Sequence, residues 1–351
     1  MQIIVLGMHR SGTSLLSRIL NLMGCYFGTE DVTLARQPDN PKGFWERTDV
    51  IAINDIILTA AGGSWWDVES LNFHSIAGTD LAYIQEQIGN IVLKMDAHRP
   101  WFIKDPRMCL TLSYWLPFLE CPMFLISNRS PIKSTQSLHA RNSIPIAYSL
   151  LLWEYYMVSM FQNIGNYRRH HVDYEQILKT PFESCKGLYE LLIASGVSGL
   201  RMPNRHEVEA FVDPTLCHYQ DKKAAQAVLL SASQQTLATA LHEGLLMDTM
   251  TCDQKILLNM IRQEKNKGNW VESLFATSQR GVPPNKTSPA ALINCLEARY
   301  TDLKTQHANL EARYTDLKTY QHRLSQKWWV RCIVFVHRLL GRDHRLDLYR
   351  K

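Results

Sequence analysis

The 351-residue chain lacks the features that mark several common protein classes. Its eight cysteines are scattered, and none stands in a C-x-x-C pair or another metal-binding spacing, so we expect reduced core thiols and no metal site. No apolar run approaches the roughly 20 residues of a membrane-spanning helix. The chain starts directly with a predicted strand, without the basic segment and cleavage site of a signal peptide. These absences predict a cytoplasmic protein.

Excess positive charge is also absent from most of the chain. The formal net charge is +5, and residues 327–351 hold seven Lys and Arg against two Asp. That difference of +5 accounts for the whole excess, so the other 326 residues are balanced. The main domain therefore lacks the basic signature of nucleic-acid binding, and we expect no nucleic-acid partner.

One segment near the N-terminus carries the strongest functional pattern. Residues 1–6 read as a short buried strand, residues 15–23 place apolar side chains at helical spacing, and Gly7 and Gly12 bound the loop between them. This order of strand, loop and helix cradles phosphate groups, because glycines allow tight turns and the N–H groups at a helix start attract anions. The alternative is a glycine turn that binds nothing.

The loop departs from the Walker pattern at one position. Thr13 stands where G-x-x-x-x-G-K-[ST] has its lysine, whereas Ser14 keeps the hydroxyl position. Kinases and ATPases need that lysine on the β- and γ-phosphates, so its replacement argues against ordinary nucleoside triphosphate chemistry. The positive charge lies instead at Arg10, inside the loop. An internal cation without the Walker lysine favours a donor with one 5′-linked phosphate-like group.

The loop resembles that of the sulfotransferase family, whose members use 3′-phosphoadenosine-5′-phosphosulfate (PAPS) and release 3′-phosphoadenosine-5′-phosphate (PAP). The family loop reads [KR]-S-G-T-[ST], and it is matched throughout by Arg10, Ser11, Gly12, Thr13 and Ser14. The resemblance implies that these residues bind PAPS, the co-substrate, without a metal. It covers about residues 1–220 and implies a P-loop-type parallel α/β sheet flanked by helices.

A second family motif holds the 3′-phosphate of the donor with an Arg at a strand end and a Ser eight residues later. Arg129 and Ser137 have this spacing, and Arg129 follows an apolar predicted strand. An Arg fork and a hydroxyl both suit phosphate. The spacing is weak evidence alone, but here it follows the loop in the family's order. The alternative is a solvent-facing Arg and an unrelated helix Ser.

Lys104, Asp105 and Pro106 resemble the KDP segment of tyrosylprotein and some carbohydrate sulfotransferases, in which the lysine contacts the bridging oxygen or the sulfuryl group. The resemblance implies that Lys104, together with Arg10, stabilises charge on the transferring group and the leaving phosphate oxygen. Asp105 could orient Lys104 or Arg107. The alternative is an ion pair at a strand end on the surface.

Glu46 is the candidate catalytic base. Protein and glycan sulfotransferases often use a Glu between the first and second helices, and Glu46 follows two aromatic residues that would partly desolvate it. The alternative is a Glu that simply favours a helix N-terminus. If Glu46 were not the base, His9 or His98 would be the next candidates.

Alternating strands and helices predict the fold class. Further strands are expected at 101–107, 123–129 and 171–175, with helices between and after them, the last at 224–247 and 254–275. Such alternation implies a parallel sheet with right-handed crossovers, in which ligands bind at the carboxyl ends of strands. The loop, Lys104 and Arg129 would then share one crevice within a domain spanning residues 1–280.

The C-terminal part predicts a helical, coiled-coil extension. Residues 281–291 read as a linker, and residues 292–326 contain a ten-residue repeat offset by two heptads, with Leu at every seventh position. The residues at the alternate seam positions are poor formers of a coiled-coil core. A single exposed helix is therefore the alternative to self-association. Within the basic tail 327–351, residues 327–345 set a basic face opposite a Trp-bearing face, which suits the anionic inner face of a membrane. The alternative is packing of that apolar face on protein.

Together these patterns predict sulfuryl transfer from PAPS to an acceptor hydroxyl of a carbohydrate or cell-surface glycan. An ATP-dependent P-loop phosphotransferase is the enzymatic alternative. A non-catalytic scaffold acting through the coiled coil and tail is the alternative from another class.

Overall fold

The computed structural model describes residues 1–29, 32, 43, 45–212, 229–244, 254–267 and 270–271. All of them fall within one compact unit, Met1–Ser278. The predicted linker 281–291, heptad segment 292–326 and tail 327–351 lie outside the described residues, as do parts of the helices predicted at 224–247 and 254–275.

The centre of the unit is a parallel sheet with strand order β2-β1-β3-β4. Its strands are β1 Gln2–Leu6, β2 Trp101–Lys104, β3 Pro122–Asn128 and β4 Arg169–Asp173. β1 pairs on both sides, Val5 lying between Lys104 of β2 and Leu125 of β3. A strand covered on both faces favours a continuous apolar run, and every residue of β1 is buried. The predicted parallel α/β sheet is confirmed.

Helices flank this sheet. The described residues contain α1 Thr13–Leu22, α2 Thr48–Ala60, α3 Gly78–Asp96, α4 Met108–Trp115, α5 Pro131–Asn142, α6 Ile146–Ile164, α7 Tyr174–Lys179, α8 Pro181–Ala194, α9 Arg205–Phe211, α10 Ala232–Glu243 and α11 Gln254–Lys265. None of the helices in this described part is long and apolar enough to cross a membrane.

Two predicted strands end earlier than expected. The strand predicted at 171–175 gives way to α7 at Tyr174, because the Asp173 side chain accepts the Gln176 backbone N–H at 2.9 Å and so caps the helix. The strand predicted at 101–107 ends at Lys104, because the Asp105 carboxylate accepts the backbone N–H of Arg107 at 3.0 Å and turns the chain into α4.

The core has two parts, one on each face of the sheet. Alternate residues of a strand point to opposite faces, so Ile3 and Val5 pack with α1 and α8, whereas Ile4 and Leu6 pack with α4 and α6. Both parts leave the carboxyl ends of the strands free to carry the loops that follow β1, β2 and β3. The site is built from those loops.

Candidate active site

The loop between β1 and α1 has a backbone that needs its glycines. Gly12, at the N-cap of α1, has φ 93°, and a Cβ there would overlap the Tyr174 ring. Gly7 has φ 147°, and a Cβ there would lie 2.5 Å from Ser11 Oγ. Arg10 also has a positive φ, 69°, which is strained for a non-glycine residue. Strain of this kind concentrates at functional sites.

Polar atoms around the loop are buried without protein partners in the described part of the chain. They are His9 Nε2, Ser11 Oγ and Arg129 Nε. A buried donor that makes no hydrogen bond costs about 1–3 kcal/mol, so a hydrogen bond to a ligand here would remove that cost. The loop backbone itself is anchored, because Ser127 of β3 donates its hydroxyl to the Ser11 carbonyl at 2.9 Å. These donors, with the close glycine turns, fit an anionic group.

Direct contacts link the loop to the second predicted motif. Arg129, just after β3, donates to the Arg10 carbonyl at 2.7 Å, and its guanidinium lies 4.7 Å from the centre of the Tyr174 ring. Arg10 Nε in turn donates to Ser137 Oγ of α5 at 2.9 Å. The structure thus brings together the residues predicted to bind the 5′ and 3′ groups of the donor.

The structure also brings together the residues predicted to be catalytic. Lys104, the last residue of β2, donates to Ser14 Oγ at 3.3 Å and forms an ion pair with Glu46. The exposed fractions of the two side chains are 2% for Lys104 and 10% for Glu46. Desolvation makes a buried ion pair a weak source of stability, so this pair is better explained by chemistry than by folding.

A buried network behind Lys104 fixes the end of β2. Asp105 is fully buried and accepts hydrogen bonds from Asn54 Nδ2 at 2.9 Å and from the Arg107 guanidinium at 3.0 Å. The Asn54 oxygen accepts from Thr111 and from the Trp115 indole. The sequence predicts a contact of Asp105 with Lys104 or Arg107 but not the role of Asn54, because a single Asn within a helix carries no recognisable spacing.

The two fallback candidates for the base lie in different places. His9 is within the loop, and its ring centre is 4.6 Å from that of Trp65. His98 precedes β2, so it lies at the amino end of the parallel strands, where it stacks on Tyr26 at 4.2 Å. The loop follows the carboxyl end of β1, so His98 is at the opposite edge of the sheet and is wrong as a fallback base.

With this geometry in view, the comparisons identify the class of protein. The model of the sulfotransferase family matches residues 2–194, so the chain belongs to that family. No curated protein matches the chain.

The solved structures that are similar to the chain include three sulfotransferases. One is the sulfotransferase domain from the Synechococcus PCC 7002 olefin synthase, with a TM-score of 0.43 and 15% identity over 68% of this chain and 94% of that chain. Another is the sulfotransferase domain from the curacin biosynthetic pathway, with a TM-score of 0.37 and 14% identity over 68% and 96%. The third is sulfotransferase STF9 from Mycobacterium avium, with a TM-score of 0.32 and 15% identity over 69% and 74%. Similarities this distant assign no ligand or residue role.

Proposed function

We propose that the protein transfers a sulfuryl group from PAPS to a hydroxyl of a carbohydrate acceptor. One observation carries this proposal: Arg129 contacts the carbonyl of Arg10, and Arg10 contacts Ser137, so two predicted anion sites are built as one unit. PAPS has charged groups at both its 3′ and 5′ positions, and a paired site suits it. The buried polar atoms without protein partners support a ligand of this kind.

Each donor group has candidate ligands. The 5′-phosphosulfate would be held by the loop N–H groups and by the side chains of Arg10, Ser11, Thr13 and Ser14, at the start of α1 where anions are favoured. The 3′-phosphate would be held by Arg129 and Ser137. PAPS, when bound, supplies an activated sulfuryl group.

Glu46 and Lys104 then have complementary tasks. Glu46 takes the proton of the attacking hydroxyl, which neutralises the carboxylate and ends its attraction for Lys104. The freed ammonium, beside Ser14 and the loop, stabilises negative charge on the leaving phosphate oxygen. Arg10 supplies a second positive charge from within the loop. No other base is needed, because the pair couples proton transfer to charge stabilisation.

A carbohydrate acceptor is supported by an aromatic side chain, Trp65, beside the loop. Trp65 is partly exposed next to His9, and its carbonyl is held by the Tyr156 hydroxyl at 2.6 Å. A fixed aromatic ring beside hydrogen-bonding groups suits the alternating apolar and polar faces of a sugar.

Both alternatives meet physical objections. An ATP-dependent enzyme needs the Walker lysine, which Thr13 replaces, and it needs a magnesium-binding carboxylate. In such enzymes the Walker B motif supplies that carboxylate, and the segment most similar to it is 92–96. Its Asp96 lies in a helix and accepts hydrogen bonds from Trp101 at 2.8 Å and Arg99 at 2.8 Å. A scaffold would gain nothing from a buried ion pair or from unpartnered buried donors.

Thermal unfolding with two nucleotides tests the proposal. We expect PAP to raise the melting temperature, because a ligand at a hundredfold excess over its Kd stabilises the folded state by about 2.7 kcal/mol. ATP at the same concentration should raise it less, and Arg129→Ala should reduce the PAP effect. Arg168→Ala is a matched control, since Arg168 is exposed just before β4, at the amino end of the strands. A larger shift with ATP would contradict the proposal, and no shift with either nucleotide would favour the scaffold.

A further inference from the structure

His9 is part of the loop, and one of its ring nitrogens has the capacity for a further hydrogen bond. The side chain is partly exposed, yet its Nε2 is buried and makes no hydrogen bond within the described residues. The ring is held in place from two sides, with centre distances of 4.6 Å to Trp65 and 6.0 Å to Tyr156 of α6. A histidine that merely packed here would leave a buried polar atom unsatisfied at a cost, which a ligand atom would remove.

The charges that lower the pKa of His9 are cations from several elements: Arg10 in the loop, Lys104 and Arg107 at and after the end of β2, and Arg141 in α5. Two of them are paired with carboxylates, Lys104 with Glu46 and Arg107 with Asp55 and Asp105. Burial first, and then these cations, hold the pKa of His9 well below its usual value. From α6, Tyr156 stays neutral, because burial raises its pKa well above the usual value. The surroundings of His9 therefore favour a neutral imidazole.

A bound anion would instead favour the protonated form of His9. Arg10 and Lys104, two of the cations that repel a proton from His9, are the groups assigned above to the transferring sulfuryl group and the leaving oxygen. An anion placed between them offsets their charge and favours a positive imidazole, since an opposite charge within about 4–6 Å favours the charged form of a group. The proton would come from solvent.

We propose that His9 is a further ligand of the donor, which takes up a proton as PAPS binds and donates from Nε2 to an oxygen of its phosphosulfate group. This inference rests on the proposed function, and it assigns His9 a binding role rather than the role of a base. By linkage, a proton taken up on binding makes binding stronger at lower pH. The His9 contribution to PAPS affinity then changes by at most roughly tenfold per pH unit.

The test is calorimetry of PAPS binding to the full chain, without acceptor, at pH 6.0 and 7.5 in buffers of low and high ionisation enthalpy. Comparing buffers gives the number of protons taken up. His9→Gln keeps an amide N–H but cannot be protonated, and His9→Asn is a second non-titrating variant in case one fails to fold. His74→Gln is the control, because His74 is exposed in a one-turn helix outside the loop.

We expect the wild type and His74→Gln to take up more protons than His9→Gln, by up to about one proton, with a steeper fall in affinity as pH rises. The 3′-phosphate of PAPS also titrates, but its contribution is common to all variants and cancels in the comparison. Equal proton uptake by the wild type and both His9 variants would overturn the inference and leave the proposed function standing. Absence of PAPS binding would overturn both.

Discussion

At the scale of single residues, the site holds charge that folding alone does not require. Lys104 and Glu46 are buried against each other, beside Ser14 and beneath the loop. The sequence predicted both residues through their resemblance to family motifs. It did not predict that they pair, because residues 58 positions apart meet only through the packing of β2 against the segment before α2.

Breaking this pair should cost stability. We expect Lys104→Met to lower the free energy of unfolding by about 3–5 kcal/mol, because it leaves the Glu46 carboxylate buried and unpaired. The double variant Lys104→Met/Glu46→Gln should recover most of that loss. Urea unfolding measures both.

The control is Lys186→Met, because Lys186 forms an exposed pair with Glu190 at 3.7 Å in α8, and such pairs contribute little. Equal loss in the single and double variants would show that the Lys104 stem, rather than the pair, carries the stability.

Removing the carboxylate of Glu46, the proposed base, should lower turnover and leave binding of PAPS, the proposed donor, unchanged. We expect Glu46→Gln to reduce turnover by roughly 10²–10⁴, the usual contribution of a general base. PAPS affinity should stay close to that of the wild type. The measurement is PAP release from PAPS with a sugar acceptor, and Glu120→Gln serves as the control, since Glu120 pairs with Arg99 near the amino end of β3. Near-normal turnover of Glu46→Gln would remove the base assignment.

At the scale of elements, the periodic sequence patterns predict most of the strands and helices. The residues at which these elements end are decided by local capping and tertiary contacts. The strand predicted at 123–129 appears as Pro122–Asn128, one residue earlier at each end. Apolar runs of this kind dominate local structure. The end of β4 differed, because the capping side chain of Asp173 decides it and no periodicity reports a cap. Tyr174, at the start of α7, lies against both Gly12 and the Arg129 guanidinium, a contact that no sequence pattern reports.

The junction between loop and helix should tolerate no side chain at its last glycine. We expect Gly12→Ala to abolish PAP binding and to destabilise the protein, because its Cβ would overlap Tyr174 and its φ of 93° strains any other residue. Gly187→Ala is the matched control. It lies in α8 with open space around it, so alanine there should stabilise by roughly 0.5–1 kcal/mol.

Calorimetry with PAP and thermal unfolding measure the two effects of Gly12→Ala. Unchanged PAP affinity in Gly12→Ala would show that the loop does not hold the donor.

At the scale of the whole molecule, a half-buried histidine should make stability depend on pH. His171 of β4 packs near Phe161 of α6, and burial, with Arg169 as a smaller cause, lowers its pKa to about 4. The unfolded chain, with an ordinary histidine pKa of about 6.5, then binds more protons than the folded protein between these values. The free energy of unfolding should therefore fall as pH drops from 6.5 towards 4.

Urea unfolding at several pH values checks this dependence. His171→Leu should flatten the profile between pH 6.5 and 4, although carboxylates will still contribute at its acid end. His74→Gln, which changes an exposed histidine, should leave the slope as in the wild type. A slope that His171→Leu does not change would show that the histidine is not kept neutral by the fold.

The contact between Gly12 and Tyr174 also bears on how the protein is made. A ribosome synthesises Gly12 162 residues before Tyr174, and β1 has no partner strand until β2 and β3 have left the exit tunnel. At roughly 5–20 residues per second, the nascent loop waits about 8–30 s for the ring that supports it. A nascent chain that stalls before Tyr174 contains the loop residues, but the loop lacks the ring that supports its folded conformation. The proposed PAPS site would thus be completed late, once β4 and the start of α7 have been added.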